Sequence, residues 1–197
     1  MCPTVTVMAV HAGRYRLGTD CGRLVLRTFR DGLAAQAGHD LTIEIARWSG
    51  ELTVNDDLGP AGLDVRIDLE SLTPIEGTGG IKPLSDRDRR EIVKTASKVL
   101  QTDRYPESTY SAAGFERAGS GGGTIDGTLT VRGQARPLRL AVSETGPDRY
   151  RATATVVQSD YGIKPYTAFL GALRVRDAVA VEVDVDLSTP DTAGEPS

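Results

Sequence analysis

Apolar and polar residues alternate with a period of two over most of this chain. Leu63, Val65, Ile67 and Leu69 are separated by Asp64, Arg66 and Asp68, and Val179, Val181, Val183, Val185 and Leu187 repeat the pattern near the end. Such alternation places one set of side chains on each face of a strand. The same pattern predicts strands over residues 14–19, 22–30, 108–116, 124–131, 137–145 and 149–158. A long strand is expected from Gly38 through Trp48 to Val54, with Gly50 suited to a bulge or bend. Turns are expected at 20–22, 55–60 and 146–148, a hairpin at 132–136, and a Gly/Ser hinge at 119–123. The period changes in two places. Residues 31–38 read as a small-residue helical turn ending on Gly38 with a positive φ. Residues 73–82 read as a loop, and 86–100 as an amphipathic helix carrying Ile92, Ala96, Val99 and Leu100 on one face. Ser85 and Asp88 stand three apart at its start, as a capping box requires.

About eight strands and one helix specify an all-β, antiparallel fold, either a closed eight-stranded β-barrel or a sandwich. The inward positions favour the barrel, because they are mostly Val, Leu, Ile and Ala with few aromatics to plug a centre. An eight-stranded barrel has an interior that side chains just fill or that holds one small ligand. A single domain is expected over 13–188, with flexible ends at 1–12 and 189–197. Residues 158–177 interrupt the strand pattern with Tyr161, Tyr166 and Phe169. An aromatic loop of that length between strands is expected to cap one barrel end, together with Trp48.

The 197 residues carry a net charge of −4, and the arginines are scattered along strands rather than gathered in blocks, so no nucleic acid partner is expected. Cys2 and Cys21 make no disulfide framework. The first ten residues lack the basic start and long apolar core of a signal peptide, and no stretch is long enough for a membrane span. The expectation is a cytoplasmic protein without stable membrane insertion.

Few residues offer chemistry. His39 beside Asp40 is the one internal pair suited to acid–base work, yet neighbours on a strand point to opposite faces. Backbone hydrogen bonding by His39 at a strand entrance is the expected role. The spacing of His and Cys suits no metal, and Gly79 to Pro83 lacks the ending and the context of a phosphate loop. No cofactor is expected. The candidate ligand contacts are His39, Leu41, Ile43 and Trp48, with Tyr161, Ile163, Tyr166 and Phe169 of the late loop. Rings there supply contact area and hydroxyls that orient a head group.

An ordered set of segments adds to this reading. Tyr15-Arg16-Leu17, Gly38-His39-Asp40, Ser71-Leu72-Thr73, Ser85 to Ile92, Tyr105-Pro106, Gly127 to Gly133, Arg136-Pro137-Leu138 and Ser159 to Ile163 together resemble the YceI-like family over residues 13–187. The resemblance implies a lipocalin-like barrel with an external helix and an elongated apolar tunnel for a polyisoprenoid or isoprenoid quinone. The partner would then be an apolar small molecule or isoprenoid lipid, carried or sequestered without catalysis. The alternative is an enzyme acting on a small apolar substrate with His39 as acid or base. A homodimer is compatible with the long loop, though no residue demands one.

Overall fold

Each alternating segment forms a strand, and the strands pair antiparallel throughout, often with partners distant in sequence. The computed structural model describes residues 12–55, 60–118 and 121–188. Expectations placed on 1–11 (with Cys2), 56–59, 119–120 and 189–197 lie outside the described residues. In chain order the elements are β1 (Gly13–Gly18), β2 (Gly22–Thr28), β3 (Arg30–Asp31), β4 (Asp40–Ile45), β5 (Trp48–Val54), β6 (Pro60–Asp68) and β7 (Leu72–Thr78). The helix α1 (Asp86–Leu100) follows, then β8 (Glu107–Ala112), β9 (Glu116–Arg117), β10 (Gly122–Val131), β11 (Gln134–Gly146) and β12 (Arg149–Val157). Last come β13 (Thr167–Ala168), β14 (Leu173–Val175) and β15 (Ala178–Asp186).

The ladders run in a ring. β1 and β2 lie in line against β5 and β4, which are themselves in line; β6 and β7 form the third such pair. β8, β10, β11, β12 and β15 then follow side by side, and β15 returns to pair with β2. With each in-line pair taken as one strand, eight antiparallel strands form a strongly curled, barrel-like sheet. β1, attached only to β5, and β7, attached only to β4, each keep one free edge.

Four expectations change. The long strand bends at Ala46 and Arg47, not at Gly50. There the Ala46 N–H donates to the Ser71 carbonyl (3.1 Å) and the Asp68 N–H to the Arg47 carbonyl (3.1 Å), so both in-line pairs turn together. Gly50 lies in an unbroken ladder, where a Cβ would stand 2.9 Å from the Asp64 carbonyl oxygen. It is a site of close approach. Residues 72–78 are a strand rather than a loop: Pro74, lacking an N–H, fits at the register shift opposite Thr42 and Ile43. Residues 31–38 hold only one 3-10 turn at Ala35–Ala37, and Gly38 is extended (φ −106°). The glycines expected in the 119–123 hinge partly join β10, which begins at Gly122.

The helix occupies its expected range and carries the capping box: Ser85 Oγ accepts from the Asp88 N–H (3.2 Å), and Asp88 Oδ2 accepts from the Ser85 N–H (3.0 Å). It lies outside the ladders but not outside the wall. Of the in-line pair β6 and β7, β8 pairs with β6 alone, leaving the free edge of β7 beyond it, and α1 packs on that edge. Arg89 donates to the Pro74 carbonyl across the seam, so one of the helix-start arginines is structural rather than solvated.

On the opposite wall, Tyr110 reaches diagonally from β8 over Gly127. Its hydroxyl donates towards the Ile125 and Leu138 carbonyls (3.2 and 3.1 Å), and a Cβ on Gly127 would meet the ring at 2.4 Å. Burial pushes the phenol up to about 12, with Asp126 adding to the effect. A proton thus held more tightly in the folded state gives stability that is complete below the ordinary pKa of 10 and declines as pH rises towards 12. Gly127→Ala is expected to lower stability by about 1–3 kcal/mol through overpacking, read from the urea midpoint. In the wild type, one tyrosine should ionise near pH 12 in ultraviolet difference titration, after the exposed ones.

Candidate functional site

The inward half of each strand encloses a cavity of about 1490 Å³, above the usual ligand-site range of roughly 300–1,000 Å³. Its wall is aliphatic along the middle, with Leu24, Ile43, Leu129, Leu140, Val181 and Val183 facing one another around the ring. It runs the length of the barrel. At one end stand His39, Ile81, Lys82, Leu84, Tyr166 and Leu173; at the other, Phe115, Arg117, Glu144, Pro147 and Tyr150. Between the free edge of β7 and the late loop, α1 supplies the wall with Ile92, Thr95, Ala96 and Val99. The first end therefore has charged and aromatic rim groups around an apolar bore.

His39 Nε2 lies 2.7 Å from the Lys82 carbonyl oxygen, which makes that nitrogen the donor. The segment 79–82 crosses over the ring, and a Cβ on Gly80 would fall 2.2 Å from Nε2. Asp40 points elsewhere: its Oδ1 accepts from the Arg30 N–H (2.8 Å). The two side chains thus form no acid–base pair, and His39 acts as a strap for the rim. Asp88, hydrogen-bonded by Ser85 and near His39, is held below the usual carboxylate range.

Two polar atoms in the apolar wall lack partners. Trp48 Nε1 and the Ser108 hydroxyl are buried without a hydrogen bond, and both residues line the cavity. Trp48 pairs with Ile67 and Ile67 with Ser108, so they share one row across three adjacent strands. Strand spacing puts their backbones about 10 Å apart. An unpaired buried donor costs about 1–3 kcal/mol, which an oxygen-bearing guest in that row would offset.

Of the candidate contacts, His39, Leu41, Ile43, Trp48, Ile163 and Tyr166 lie on the cavity wall. Tyr161 and Phe169 do not. Tyr161 is buried in the turn below the loop, where burial raises its phenol, while Phe169 projects into solvent. Trp48 is not at the capped end either: its ring lies near Gly22, whose Cβ would be 3.2 Å from Cζ2, and Gly22 pairs with Val185 towards the opposite end. The base of the loop is anchored by the β10–β11 hairpin, with Arg132 donating to the Gly162 carbonyl (2.9 Å) and Arg136 to the Asp160 carbonyl (3.1 Å). Its tip is strained. Phe169 and Leu170 both take left-handed backbone (φ 51° and 54°), which costs roughly 1–2 kcal/mol per residue. Sequence reasoning missed Ser108, Tyr110 and the α1 face. The helix stripe was visible, and an apolar stripe must be buried against something. Among the described residues, no cluster of His, Cys, Asp or Glu could hold a metal ion.

The YceI-like domain family matches residues 29–187. No curated protein matches the sequence. Among solved structures, BcnA of Burkholderia cenocepacia is similar at 14% identity and TM-score 0.58, covering 83% of this chain and 94% of that one. A polyisoprenoid binding domain from Saccharophagus degradans, implicated in plant cell wall breakdown, is similar at 14% identity and TM-score 0.53, covering 89% and 97%. The Campylobacter jejuni YceI protein is similar at 16% identity and TM-score 0.55, covering 73% and 81%. These likenesses concern the fold.

Ser108→Ala removes the unpartnered hydroxyl and is expected to raise the stability of the empty barrel by about 1 kcal/mol. Urea unfolding with an unchanged m-value is the measurement.

Proposed function

This chain belongs to the YceI-like family, and we propose that its barrel holds one long apolar molecule, of the polyisoprenoid or isoprenoid-quinone kind, as a carrier or sequestering protein. The observation that carries the reading is the cavity itself, about 1490 Å³ and walled by aliphatic side chains along its middle. Protein interiors are otherwise close-packed, and walls facing a void forgo their dispersion contacts. A flexible hydrocarbon chain restores those contacts without asking for directional partners. The Saccharophagus degradans domain, described as polyisoprenoid binding, supports the same class of guest. Trp48 and Ser108 favour a guest with one oxygen function over a plain hydrocarbon. A cytoplasmic location is proposed separately, and fractionation of the native host tests it.

The chain's one tryptophan, Trp48, lines the cavity and reports on its contents. Organic extraction of the purified protein is expected to release close to one equivalent of an apolar compound, identified by mass spectrometry. Adding an isoprenoid quinone to the extracted protein should quench Trp48 emission to a stoichiometric end point. Val181→Trp, which fills the bore, should weaken uptake at least ten-fold by direct lipid-binding assay, with an unchanged strand signal in circular dichroism. Repeated recovery of protein with no bound apolar compound and no uptake of prenyl chains would sink the proposal.

A further inference from the structure

We infer that the rim bearing Leu33, Phe169 and Leu170 is a membrane-docking surface, through which the barrel exchanges its guest with a lipid bilayer. The inference rests on reading the barrel as a container for an apolar molecule and adds where that molecule comes from. Five large apolar side chains are exposed among the described residues: Leu33 (102%), Ile81 (79%), Tyr166 (43%), Phe169 (65%) and Leu170 (109%). All five belong to the segments around the opening next to α1. A cluster of exposed apolar groups at one place marks an interaction site.

The tips are held rigidly in place. β13, β14 and β3 form a small second sheet, with Arg174 opposite Asp31 and Thr167 opposite Arg174. The Ala34 N–H donates to the Ala172 carbonyl (2.8 Å), and Gly32 takes φ +98°, with that same oxygen 2.4 Å from where a Cβ would be. Leu33 and the Phe169–Leu170 pair therefore ride on one platform. Ile81 and Tyr166 are exposed and also belong to the cavity wall, so the apolar surface continues from the tips into the bore.

Charge fits the headgroup region. On the platform Asp31 is paired with Arg174 (3.1 Å), and below it Asp40 with Arg30 (3.9 Å). Arg176 lies over the Phe29 ring, and Lys82 and Lys164 stand exposed at the rim. A chain of net charge −4 thus brings several cations to this side, Lys82 near Asp88 and Arg176 near Asp31 among them. The shape favours a bilayer over a protein partner, since side chains on separate convex loops insert singly into a fluid layer, whereas a protein would need a complementary cavity for each. Docking of this kind places apolar groups roughly 5–10 Å into the interface, without spanning it. No helix among the described residues is long and apolar enough to cross a membrane.

Vesicle sedimentation tests this with phosphatidylcholine alone and with added phosphatidylglycerol. The full chain is expected to bind both, more tightly with the anionic lipid. The triple variant Leu33→Ser, Phe169→Ser, Leu170→Ser is expected to lose at least ten-fold in partitioning. It should still take up quinone delivered from ethanol, since none of the three residues lines the cavity. Equal partitioning of wild type and variant, or no vesicle binding by the wild type, overturns the inference. So does a dimer in sedimentation velocity that the triple variant dissolves, which would make the face an interface between copies. Failure of the wild type to take up quinone from ethanol strikes the container reading alone, and sedimentation still decides the docking surface.

Discussion

Ring closure by the β15–β2 ladder is the constraint on which the rest depends. Once eight antiparallel strands close, each alternate residue is committed to the interior, and the bore's width follows from strand number rather than from the side chains. Leu, Ile and Val at the inward positions do not span that width, so a cavity is the geometrical remainder. Closure also leaves few free edges, which limits pairing with other chains. The outer face needs only solubility. It carries arginine–carboxylate pairs such as Arg139–Asp126 and Arg151–Asp184, directly opposite in register and largely exposed, each contributing about 0–1 kcal/mol.

Closure is imperfect in one place, and the site is built there. β8 is short and stops alongside β6, so the upper part of the wall lacks a strand beside β7. A helix is wider than a strand and has no backbone groups free for lateral pairing, but its apolar stripe can cover the gap. The capping box satisfies the exposed start of α1, and the Arg89 guanidinium reaches the Pro74 carbonyl on the edge of β7. The connection between the third and fourth strands thus completes the wall that the strands leave open.

Most of the architecture was legible because a period of two is hard to mistake over seven or more residues, as in residues 63–69 and 179–187. The helix was legible through its cap and its stripe. What was not legible depends on partners far away in sequence. Pro74 argued against a strand locally, and only the register shift against β4 makes room for it. Gly50 carries the composition of a bulge, yet its role is set by the Asp64 carbonyl of another strand. For the site, Leu41, Ile43 and Ile163 followed from inward alternation or position. Phe169 was expected at the cap by its aromatic type, whereas at the left-handed turn of residues 169 and 170 its ring stands in solvent. Ser108 gave no signal, since its importance lies in the absence of a partner.

The seam between α1 and β7 differs in kind from the other joints of the wall. Elsewhere, parting two neighbours means breaking a row of backbone hydrogen bonds. Here only side-chain packing and the Arg89–Pro74 contact give way, and the helix keeps its own hydrogen bonds when displaced as a unit. The seam is therefore the one joint of the curled wall, among the described residues, that holds no backbone ladder.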